Sequence, residues 1–324
     1  MVNGAKPVNV MNNKPKRYNA FSDLLKREFS CRVQRISVDA GFSCPNRDGT
    51  IDIGGCIYCG DRGSGSHGIP AESSVRDQLE HGKEVMVRKY KARLFIAYFQ
   101  AYSNTHAPLP ELRRLYDEAL SVPDVSGLIV GTRPDCLSAP VLDLLSEYNQ
   151  KCWFWLELGM QSHLDRSLDY LRRGHDFKTF EEAVRHAQER RLRLCVHVML
   201  GLPGESREQI LAGAEVLNRL GVNGVKLHLL HIMKGTVLEE AYLRGEVTVM
   251  DRDEYVGLVC DYLERLHPDI VIQRLTGDGG HDHLVAPLWS LKKFEVLNAI
   301  DNELERRGTR QGVNFILSAN TNKN

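Results

Sequence analysis

The chain has 324 residues, and its 42 Lys and Arg side chains balance 42 Asp and Glu, so the overall charge does not indicate a nucleic-acid partner. No apolar run approaches the roughly 18 residues that a bilayer-spanning helix needs, and the N-terminus lacks the apolar stretch of a signal peptide. We therefore expect a cytoplasmic protein without a membrane partner, in which clustered cysteines indicate a metal site or catalysis rather than disulfides. A chain of this length can form one α/β barrel or two domains.

The charge is unevenly distributed along the chain. Residues 1–35 carry eight Lys and Arg against two acids, Asp23 and Glu28, so this end is net +6 and the remainder is net −6. A basic segment of this kind is compatible with phosphate contacts, although ordinary solvated surface has the same composition. We predict a basic N-terminal arm over residues 1–30.

After the arm, short β-branched or aromatic runs alternate with amphipathic stretches. Helical patterns include residues 110–121 and 206–220, and the second begins with Ser206 as a candidate N-cap and Gln209 three positions later. Six strand–helix units predict an α/β fold, a partial (open) (β/α)6 TIM-like barrel with its functional residues at the carboxyl ends of the strands. The candidate strands are VQRISVDA (33–40), RLFIAYF (93–99), GLIVGT (127–132), CWFWLEL (152–158), LRLCVHVML (192–200) and GVKLHLL (224–230).

Three cysteines lie in one Gly-rich segment after the first strand: Cys44, Cys56 and Cys59, with the spacing C-x11-C-x2-C. Their Gly, Asn and Asp neighbours disfavour a purely apolar role. Two ligand sets stay open on spacing alone. With His67 the thiols would form a structural Cys3His zinc site. Without a fourth protein ligand they would hold an iron–sulfur cluster with one iron open to a substrate or cofactor.

The wider sequence resembles the radical S-adenosylmethionine (SAM) superfamily, and within it the bacterial group related to the elongator-type tRNA-modifying enzymes. The stretches that carry the resemblance lie in order between Tyr18 and Gly312: DAGFSCPNRDGT, GGCIYC, FQAYSNTHAP, GTRPDC, WLELGMQS, RRGHDF, MLGLPGES and KLHLLHIMKGT. The eleven-residue gap after Cys44 departs from the superfamily's more common C-x3-C-x2-C spacing.

The resemblance implies a [4Fe-4S] cluster whose metal ligands and catalytic residues are Cys44, Cys56 and Cys59. SAM would bind the open iron and be cleaved reductively to a 5′-deoxyadenosyl radical. The core barrel is expected over residues 31–268, followed by a substrate-side extension over 269–312 and a tail over 313–324.

The resemblance also implies cofactor contacts at the strand ends, where the same residues could otherwise be solvated loop and helix surface. Arg173 would pair with the methionine carboxylate, and backbone near Leu230 would cradle adenine. The full set of expected SAM contacts is Gln100, Tyr102, Ser103, Thr132, Arg133, Glu157, Gln161, Arg173, His197 and Leu230.

Substrate contacts are expected from later residues: His228, Thr276, Asp278 and Lys292. A histidine in an apolar run such as His228 is, however, more often a satisfied core residue. A second metal on His281 and His283 is disfavoured, because two histidines without a third ligand are usually surface residues. Cys136, at a strand end, is a candidate neighbour of the site, and the other four cysteines, Cys31, Cys152, Cys195 and Cys260, are expected in the core.

Through the resemblance, the most specific functional prediction is maturation of the wobble uridine of tRNA, from 5-carboxymethylaminomethyl-(2-thio)uridine to 5-aminomethyl-(2-thio)uridine. The implied partners are the tRNA anticodon loop, an electron donor such as flavodoxin or ferredoxin, and a downstream methyltransferase. Two alternatives stay open: a radical SAM enzyme acting on another substrate, such as a porphyrin precursor or a protein side chain, and a zinc-stabilised scaffold that binds RNA or protein.

Overall fold

The computed structural model describes residues 15–60, 73–277, 280 and 282–315. Its main sheet has seven parallel strands that lie side by side in chain order. Because neighbouring strands run the same way, their carboxyl ends meet at one edge of the sheet. The strands are β1 (Val33–Val38), β2 (Leu94–Phe99), β3 (Val125–Thr132), β4 (Trp153–Gln161), β5 (Leu194–Leu200), β6 (Gly224–Leu229) and β8 (Val271–Arg274); β7 (Ile232–Met233) and β9 (Leu284–Ala286) form a separate antiparallel pair.

Helices follow most strands and bury their apolar faces against the outer side of the sheet. The predicted start of α7 is confirmed: the Ser206 side chain accepts from the Gln209 N–H, and the Gln209 side chain accepts from the Ser206 N–H, which together form a capping box. The helices are α1 (Phe21–Glu28), α2 (Val75–Tyr90), α3 (Leu109–Leu120), α4 (Ala139–Lys151), α5 (Asp165–Tyr170), α6 (Phe177–Glu189), α7 (Arg207–Leu220), α8 (Val237–Leu243), α9 (Arg252–Arg265) and α10 (Lys293–Arg306).

The sheet curls into an open half-barrel, as predicted, and all six predicted strands are present. The structure adds a seventh strand, β8, beside β6. Sequence reasoning missed β8 because its four residues, Val-Ile-Gln-Arg, are half polar and too few for a periodic pattern. The Ile272 N–H of β8 donates to the Asn19 carbonyl at 2.8 Å, so the segment before α1 covers the free edge.

An apolar floor fills the amino-terminal part of the half-barrel. It combines one or two residues from each of several strands with Phe21 of α1, which packs edge-on against Trp155 with ring centroids 6.4 Å apart. The remaining buried members are Val33, Ile96, Tyr98, Ile129, Cys195 and Val271. Because side chains alternate between the two faces of a strand, residues two positions further along each strand lie one step closer to the carboxyl edge.

A second apolar cluster lies at that carboxyl edge. It joins Ile57, from the segment after β1, to Leu230 and Ile232 beyond β6 and to Leu238 of α8. The Leu238 N–H donates to the Ile57 carbonyl at 3.0 Å, which ties the two segments together. The segment after β1 is therefore packed against the C-terminal part of the chain.

The described part of the predicted N-terminal arm contacts the C-terminal helix. Lys16 forms an ion pair with Asp301, and Arg17 donates to the Thr309 carbonyl at 3.2 Å. None of the described helices is long and apolar enough to cross a membrane. The division into arm, core, extension and tail stays a prediction, and β8 belongs to the main sheet although it lies in the segment assigned to the extension.

Candidate active site

The segment from Cys44 to Gly60, here called the cysteine loop, follows β1 at the carboxyl edge. Its backbone folds on itself through three short bonds: the Arg47 N–H to the Cys44 carbonyl at 2.7 Å, the Gly55 N–H to the Asn46 carbonyl at 2.7 Å, and the Cys59 N–H to the Cys56 carbonyl at 3.0 Å. These bonds bring the two ends of the eleven-residue gap together. Cys56 is buried, and Cys44 and Cys59 are half-buried.

The glycine before Cys56 is required by the loop's close packing. Gly55 has φ +71°, and a Cβ there would lie 3.0 Å from Nε of Arg47. The same Arg47 donates through Nη2 to the carbonyls of Cys59 and Gly60, both at 2.8 Å. A side chain at position 55 would therefore displace the arginine that closes the loop.

Neighbouring segments hold the loop from both sides. The Asn46 amide donates to the Arg172 carbonyl at 2.7 Å, and the Ile57 N–H donates to the Leu171 carbonyl at 3.2 Å. On the other side, the Ser103 N–H donates to the Ser43 carbonyl at 3.2 Å. The thiols are thus fixed by the turn after α5 and by the loop after β2.

The thiols lie among hydrogen-bond donors. The Cys56 sulfur accepts from the Asn46 amide and from Arg173 Nη1, both at 3.5 Å. Burial, and then the nearby Cys56, raises the pKa of the Cys59 thiol. A metal that binds here must displace protons, and the neighbouring Arg173 charge favours the resulting thiolates. Within the described residues, no set of three or more His, Cys, Asp or Glu side chains is arranged to hold a single metal ion.

Two buried arginines adjoin the loop. Arg173 donates to the Gly159 carbonyl at 3.0 Å and to the Tyr58 hydroxyl at 3.1 Å. Arg133 forms a bidentate pair with Asp135, at 2.9 and 2.7 Å, and donates to the Arg173 carbonyl at 2.6 Å. The predicted contacts Arg133 and Arg173 therefore come together next to the thiols.

Several other predicted SAM contacts also lie at this edge. Ser103 is fully buried, and the Thr132 hydroxyl lies 2.6 Å from that of Thr105. Ser37 donates to the Gln100 side chain at 3.3 Å. The Tyr102 ring centroid lies 5.9 Å from the Arg47 guanidinium carbon.

Strained backbone occurs at both ends of the strands. Tyr102, Gln161 and Arg172, at the carboxyl edge, have positive φ values of 59°, 66° and 54° although none is glycine, and Lys91, Asp124 and Arg191, before β2, β3 and β5, have positive φ values too. Such conformations cost about 1–3 kcal/mol each and are concentrated at binding and catalytic sites. An added Cβ on Gly159 would lie 2.8 Å from Gln161 Nε2 and 3.2 Å from Arg173 Nη2, so these two predicted contacts are adjacent.

The residues fit a polar cofactor next to the thiols. Four buried polar atoms around the loop have no hydrogen-bond partner among the described residues: Asn46 Oδ1, Ser103 Oγ, Arg133 Nη1 and Arg173 Nε. Because an unsatisfied buried donor or acceptor costs about 1–3 kcal/mol, a cluster of them indicates a ligand that supplies the partners. An amino acid carboxylate matches the two arginines.

Inside the half-barrel lies a second polar group, here called the lumen layer: Tyr98, Glu157, His197 and Lys226, from β2, β4, β5 and β6. One oxygen of Glu157 accepts from Lys226 Nζ at 2.6 Å, from the Tyr98 hydroxyl at 2.7 Å and from His197 Nε2 at 2.8 Å. Trp155 and Cys195 of the apolar floor lie two residues before Glu157 and His197, and Gly159 lies two residues after Glu157. The layer is therefore one strand step below Arg173, or roughly 6–7 Å.

The lumen layer is charged although it is buried. Burial alone would raise the pKa of Glu157, but Lys226 and His197 outweigh it and hold this pKa well below its usual range. Burial lowers the pKa of Lys226 to about 8 against the opposing pull of Glu157, and it lowers the pKa of His197. Near neutral pH the layer thus contains an ion pair and a neutral imidazole.

The remaining predicted site residues lie in different parts of the structure. Glu157 and His197, predicted at the cofactor, belong to the lumen layer, and the His228 ring stacks on His197 with centroids 5.0 Å apart. Thr276 is fully buried, whereas Lys292 is exposed and pairs with Glu295 at 3.1 Å. Leu230 packs in the second apolar cluster. The expected residues His67, Asp278 and His281 lie outside the described part of the chain.

Sequence reasoning missed Asn46, Arg47, Tyr98 and Lys226. One signal for Lys226 was available: a lysine within an apolar strand, both of whose faces are covered, needs a buried partner. Cys136, a candidate neighbour of the site, is half-buried, and burial raises the pKa of its thiol to about 12. Cys195 and Cys260 are buried as expected, and Cys31 and Cys152 are half-buried.

Comparisons with known proteins agree with this geometry. The profile of the Radical SAM superfamily matches residues 44–235, and that of the Radical SAM C-terminal domain matches residues 222–306. The chain is 41% identical to protein YtqA of Bacillus subtilis (strain 168) over 303 residues, which cover 94% of each protein. It is 29% identical over 155 residues to the tRNA uridine(34) acetyltransferase of Dehalococcoides mccartyi (strain CBDB1), covering 47% of this chain and 33% of that protein.

The fold is similar to a solved structure of Elp3 from the archaeon Methanocaldococcus infernus, with a TM-score of 0.65 and 15% sequence identity. The likeness covers 87% of this chain and 64% of that one. At this identity the comparison shows the shared half-barrel fold alone.

Proposed function

Because the chain belongs to the radical SAM superfamily and is a radical SAM enzyme related to the tRNA uridine(34) acetyltransferases, we propose that it modifies the wobble uridine of tRNA. The reaction that we propose converts 5-carboxymethylaminomethyl-(2-thio)uridine to 5-aminomethyl-(2-thio)uridine. The bond between the side-chain nitrogen and the carboxymethyl carbon breaks, water supplies the oxygen with which the two carbons leave as glyoxylate, and the two electrons that the substrate loses would be taken up in the cleavage of SAM to methionine and 5′-deoxyadenosine. The anticodon loop is then its substrate. A wobble base in a single-stranded loop can leave its stack at low cost to enter the mouth of the half-barrel.

The observation that carries the enzyme class is the cysteine loop, with three thiols beside the buried Arg173 at the carboxyl edge of the sheet. Cys44, Cys56 and Cys59 are three soft ligands, so a four-iron cluster bound here retains one iron for SAM. When bound, the cluster and SAM supply radical chemistry that removes hydrogen from an unactivated carbon.

The protein's own groups orient and shield that chemistry. Arg173, held by the Gly159 carbonyl and the Tyr58 hydroxyl, is placed to bind the methionine carboxylate. Ser103 and Arg133 each have a buried polar atom without a described partner, and these would complete the contacts to SAM. The second apolar cluster covers one side of the site and limits the access of water.

Two macromolecular partners follow from the proposal. An electron donor such as flavodoxin or ferredoxin would reduce the cluster, and a methyltransferase would use the 5-aminomethyl product. The support for a tRNA substrate is the relationship to an enzyme whose name specifies tRNA uridine 34, over about half of this chain.

The test is an analysis of tRNA nucleosides from cells with and without the gene. Cells without it should accumulate 5-carboxymethylaminomethyl-(2-thio)uridine and lose 5-aminomethyl-(2-thio)uridine and its methylated derivative. Wild-type protein should restore the pattern and Cys56→Ala should not, while Cys260→Ala, a buried thiol away from the loop, serves as the matched control. An unchanged wobble pattern would reject this substrate and favour a radical SAM reaction on another molecule.

A further inference from the structure

Inside the half-barrel, the charged groups around the lumen layer carry more positive than negative charge. Arg35 of β1 and Lys226 of β6 both have Glu157 as the largest opposite charge acting on them. Arg35 lies with its guanidinium carbon 5.9 Å from the Tyr98 ring centroid, and Lys226 Nζ lies 4.3 Å from the same centroid. Among the described groups these two cations therefore share one carboxylate, and the Arg274 charge lowers the pKa of both as well. Uncompensated buried charge is costly.

Polar atoms of both kinds lack partners at the same place. Gln273 of β8 is buried; its oxygen accepts from Arg35 at 3.5 Å, and its Nε2 donor has no partner among the described residues. Glu157, in contrast, has an acceptor without a donor: its Oε2 accepts three hydrogen bonds, while its Oε1 accepts none from the described residues. A ligand that satisfies both sides must carry an acceptor, preferably an anion, and a donor, preferably a cation.

The lumen layer is closed below, and its most exposed member lies toward the carboxyl edge, while the Glu157 and Lys226 side chains themselves are fully buried. The His197 side chain is 20% exposed and His228 is half-buried, so these stacked rings lie at the open side of the layer. Trp155 and Cys195, one strand step below, are buried in the apolar floor. A ligand would therefore enter past the cysteine loop and stop at Glu157.

We propose that the lumen layer, with Arg35 and Gln273, binds the zwitterionic side chain of the substrate nucleoside, its carboxylate at Arg35 and Gln273 and its secondary ammonium at Glu157. The proposal rests on the proposed function, which supplies a carboxymethylaminomethyl group with one carboxylate and one ammonium. SAM carries the same pair of groups, but its amino acid end belongs one strand step higher, at Arg173 and the cluster.

The charge excess also separates substrate from product. The substrate side chain is net neutral, whereas the 5-aminomethyl product has lost the carboxylate and keeps a positive ammonium. In a lumen whose described cations outnumber its described carboxylates, the product loses an attractive contact and gains a repulsive one. The site therefore favours binding of the substrate and release of the product.

The experiment compares binding of three anticodon stem-loop RNAs at one salt concentration, with 5-carboxymethylaminomethyluridine, 5-aminomethyluridine or uridine at position 34. Wild-type holoenzyme should bind the first RNA on the order of tenfold to a hundredfold more tightly than the second, as expected for charge-assisted bonds. Arg35→Gln and Gln273→Leu should each reduce this preference to within about threefold. Affinity for SAM should stay unchanged in both variants. Affinity for the 5-aminomethyl RNA should stay unchanged in Gln273→Leu and should rise in Arg35→Gln, which removes a repelling cation.

The matched control is Arg32→Gln, the same change three residues earlier in the chain, at an exposed position. It should keep the preference. Gln273→Leu removes no charge, so its RNA preference tests the proposal if Arg35→Gln fails to fold.

A preference for the first RNA that persists in both variants would overturn the proposal. A loss of SAM affinity with an unchanged RNA preference would also overturn it, because the lumen would then bind the cofactor. If the gene is required for the wobble modification in cells but wild-type enzyme shows no preference, the lumen proposal alone is wrong. If the gene is not required, the proposed function is wrong.

Discussion

The cysteine loop and the lumen layer are two polar sites in one half-barrel, and they are assembled in different ways. The loop places its three thiols within one continuous segment, and backbone bonds inside that segment fix their spacing. The layer draws single side chains from β2, β4, β5 and β6, and its members meet at one oxygen of Glu157. The loop depends on local turn geometry, whereas the layer exists only when the whole sheet is curled.

This difference determines what each region can tolerate. A thiol in the loop can be removed without disturbing the sheet, since the loop lies at the edge and is held by backbone groups. A charge in the layer cannot be removed alone, because its partner would be left buried and unpaired. Variants of the loop should therefore lose cofactor while staying folded, and variants of the layer should lose stability.

The largest effect is expected at the thiols. Cys44→Ala, Cys56→Ala or Cys59→Ala should each reduce iron from about four per chain to near zero, because three thiolates are the smallest set that holds such a cluster. Iron and sulfide analysis of anaerobically reconstituted protein measures this, together with circular dichroism to show that the fold is kept. Cys195→Ala, in the apolar floor, should retain its iron. Full iron content in any of the three loop variants would remove that cysteine from the ligand set.

The next largest effect is expected in the lumen layer. Lys226→Met should lower the free energy of unfolding by about 3–5 kcal/mol, because Glu157 would remain charged and buried without its partner. The double variant Glu157→Gln with Lys226→Met removes both members of the ion pair and keeps an acceptor for Tyr98 and His197, although Arg35 loses the carboxylate that acts on it. It should be more stable than Lys226→Met by about 1–3 kcal/mol.

Urea midpoints of preparations with equal iron content give the comparison. If the single and double variants were equally destabilised, the Glu157–Lys226 pair would not be the reason for the loss. The layer would then resemble the loop in tolerating the removal of a single group.

Arg173 lies between the two regions, so a variant at this position tests the difference between them. If it binds the methionine carboxylate, Arg173→Ala should weaken SAM binding on the order of ten- to a hundredfold, since such a charge-assisted pair contributes roughly 1.5–3 kcal/mol. Iron content should be retained, because the arginine contacts Cys56 only through a 3.5 Å bond. The measurement is a SAM titration followed through the cluster spectrum. Arg172→Ala, at the exposed neighbouring position, is the control; wild-type SAM affinity in Arg173→Ala would exclude the contact.

The two regions also differ in how far sequence could predict them. The cysteine loop could be predicted because its cysteines and glycines lie within seventeen consecutive residues, from Cys44 to Gly60. The six longer strands could be predicted equally well, because each is an apolar run between amphipathic stretches. Ser103, Arg133, Gln161 and Arg173, predicted as strand-end contacts, lie at the carboxyl edge, since parallel strands align their carboxyl ends; their contact with SAM stays a prediction.

The lumen layer could not be assembled from the sequence. Tyr98 and Lys226 are 128 residues apart, and each lies in a strand whose other residues are mostly apolar. Their meeting depends on strand register and on which face of each strand is concave. For the same reason Glu157 and His197 were expected at the cofactor, whereas the structure places them one step below Arg173 and bonded to each other.

The smallest effect expected is a change in how stability depends on pH. Burial, and then the neighbouring His197, lowers the pKa of His228 well below its usual value, so the imidazole stays neutral in the folded protein. The unfolded chain takes up a proton near pH 6.5, and the folded chain does not. The unfolded state binds more protons than the folded state below this pH, so the free energy of unfolding falls as pH decreases, by at most about 1.4 kcal/mol per pH unit for one histidine.

His228→Gln should flatten the dependence of the free energy of unfolding on pH between pH 6.5 and 5, as measured by urea unfolding at each pH. His186→Gln, on α6 with no such burial, should leave this dependence unchanged. An unaltered slope in His228→Gln would mean that His228 is protonated in the folded protein, and the stacked histidines would then add positive charge to the lumen.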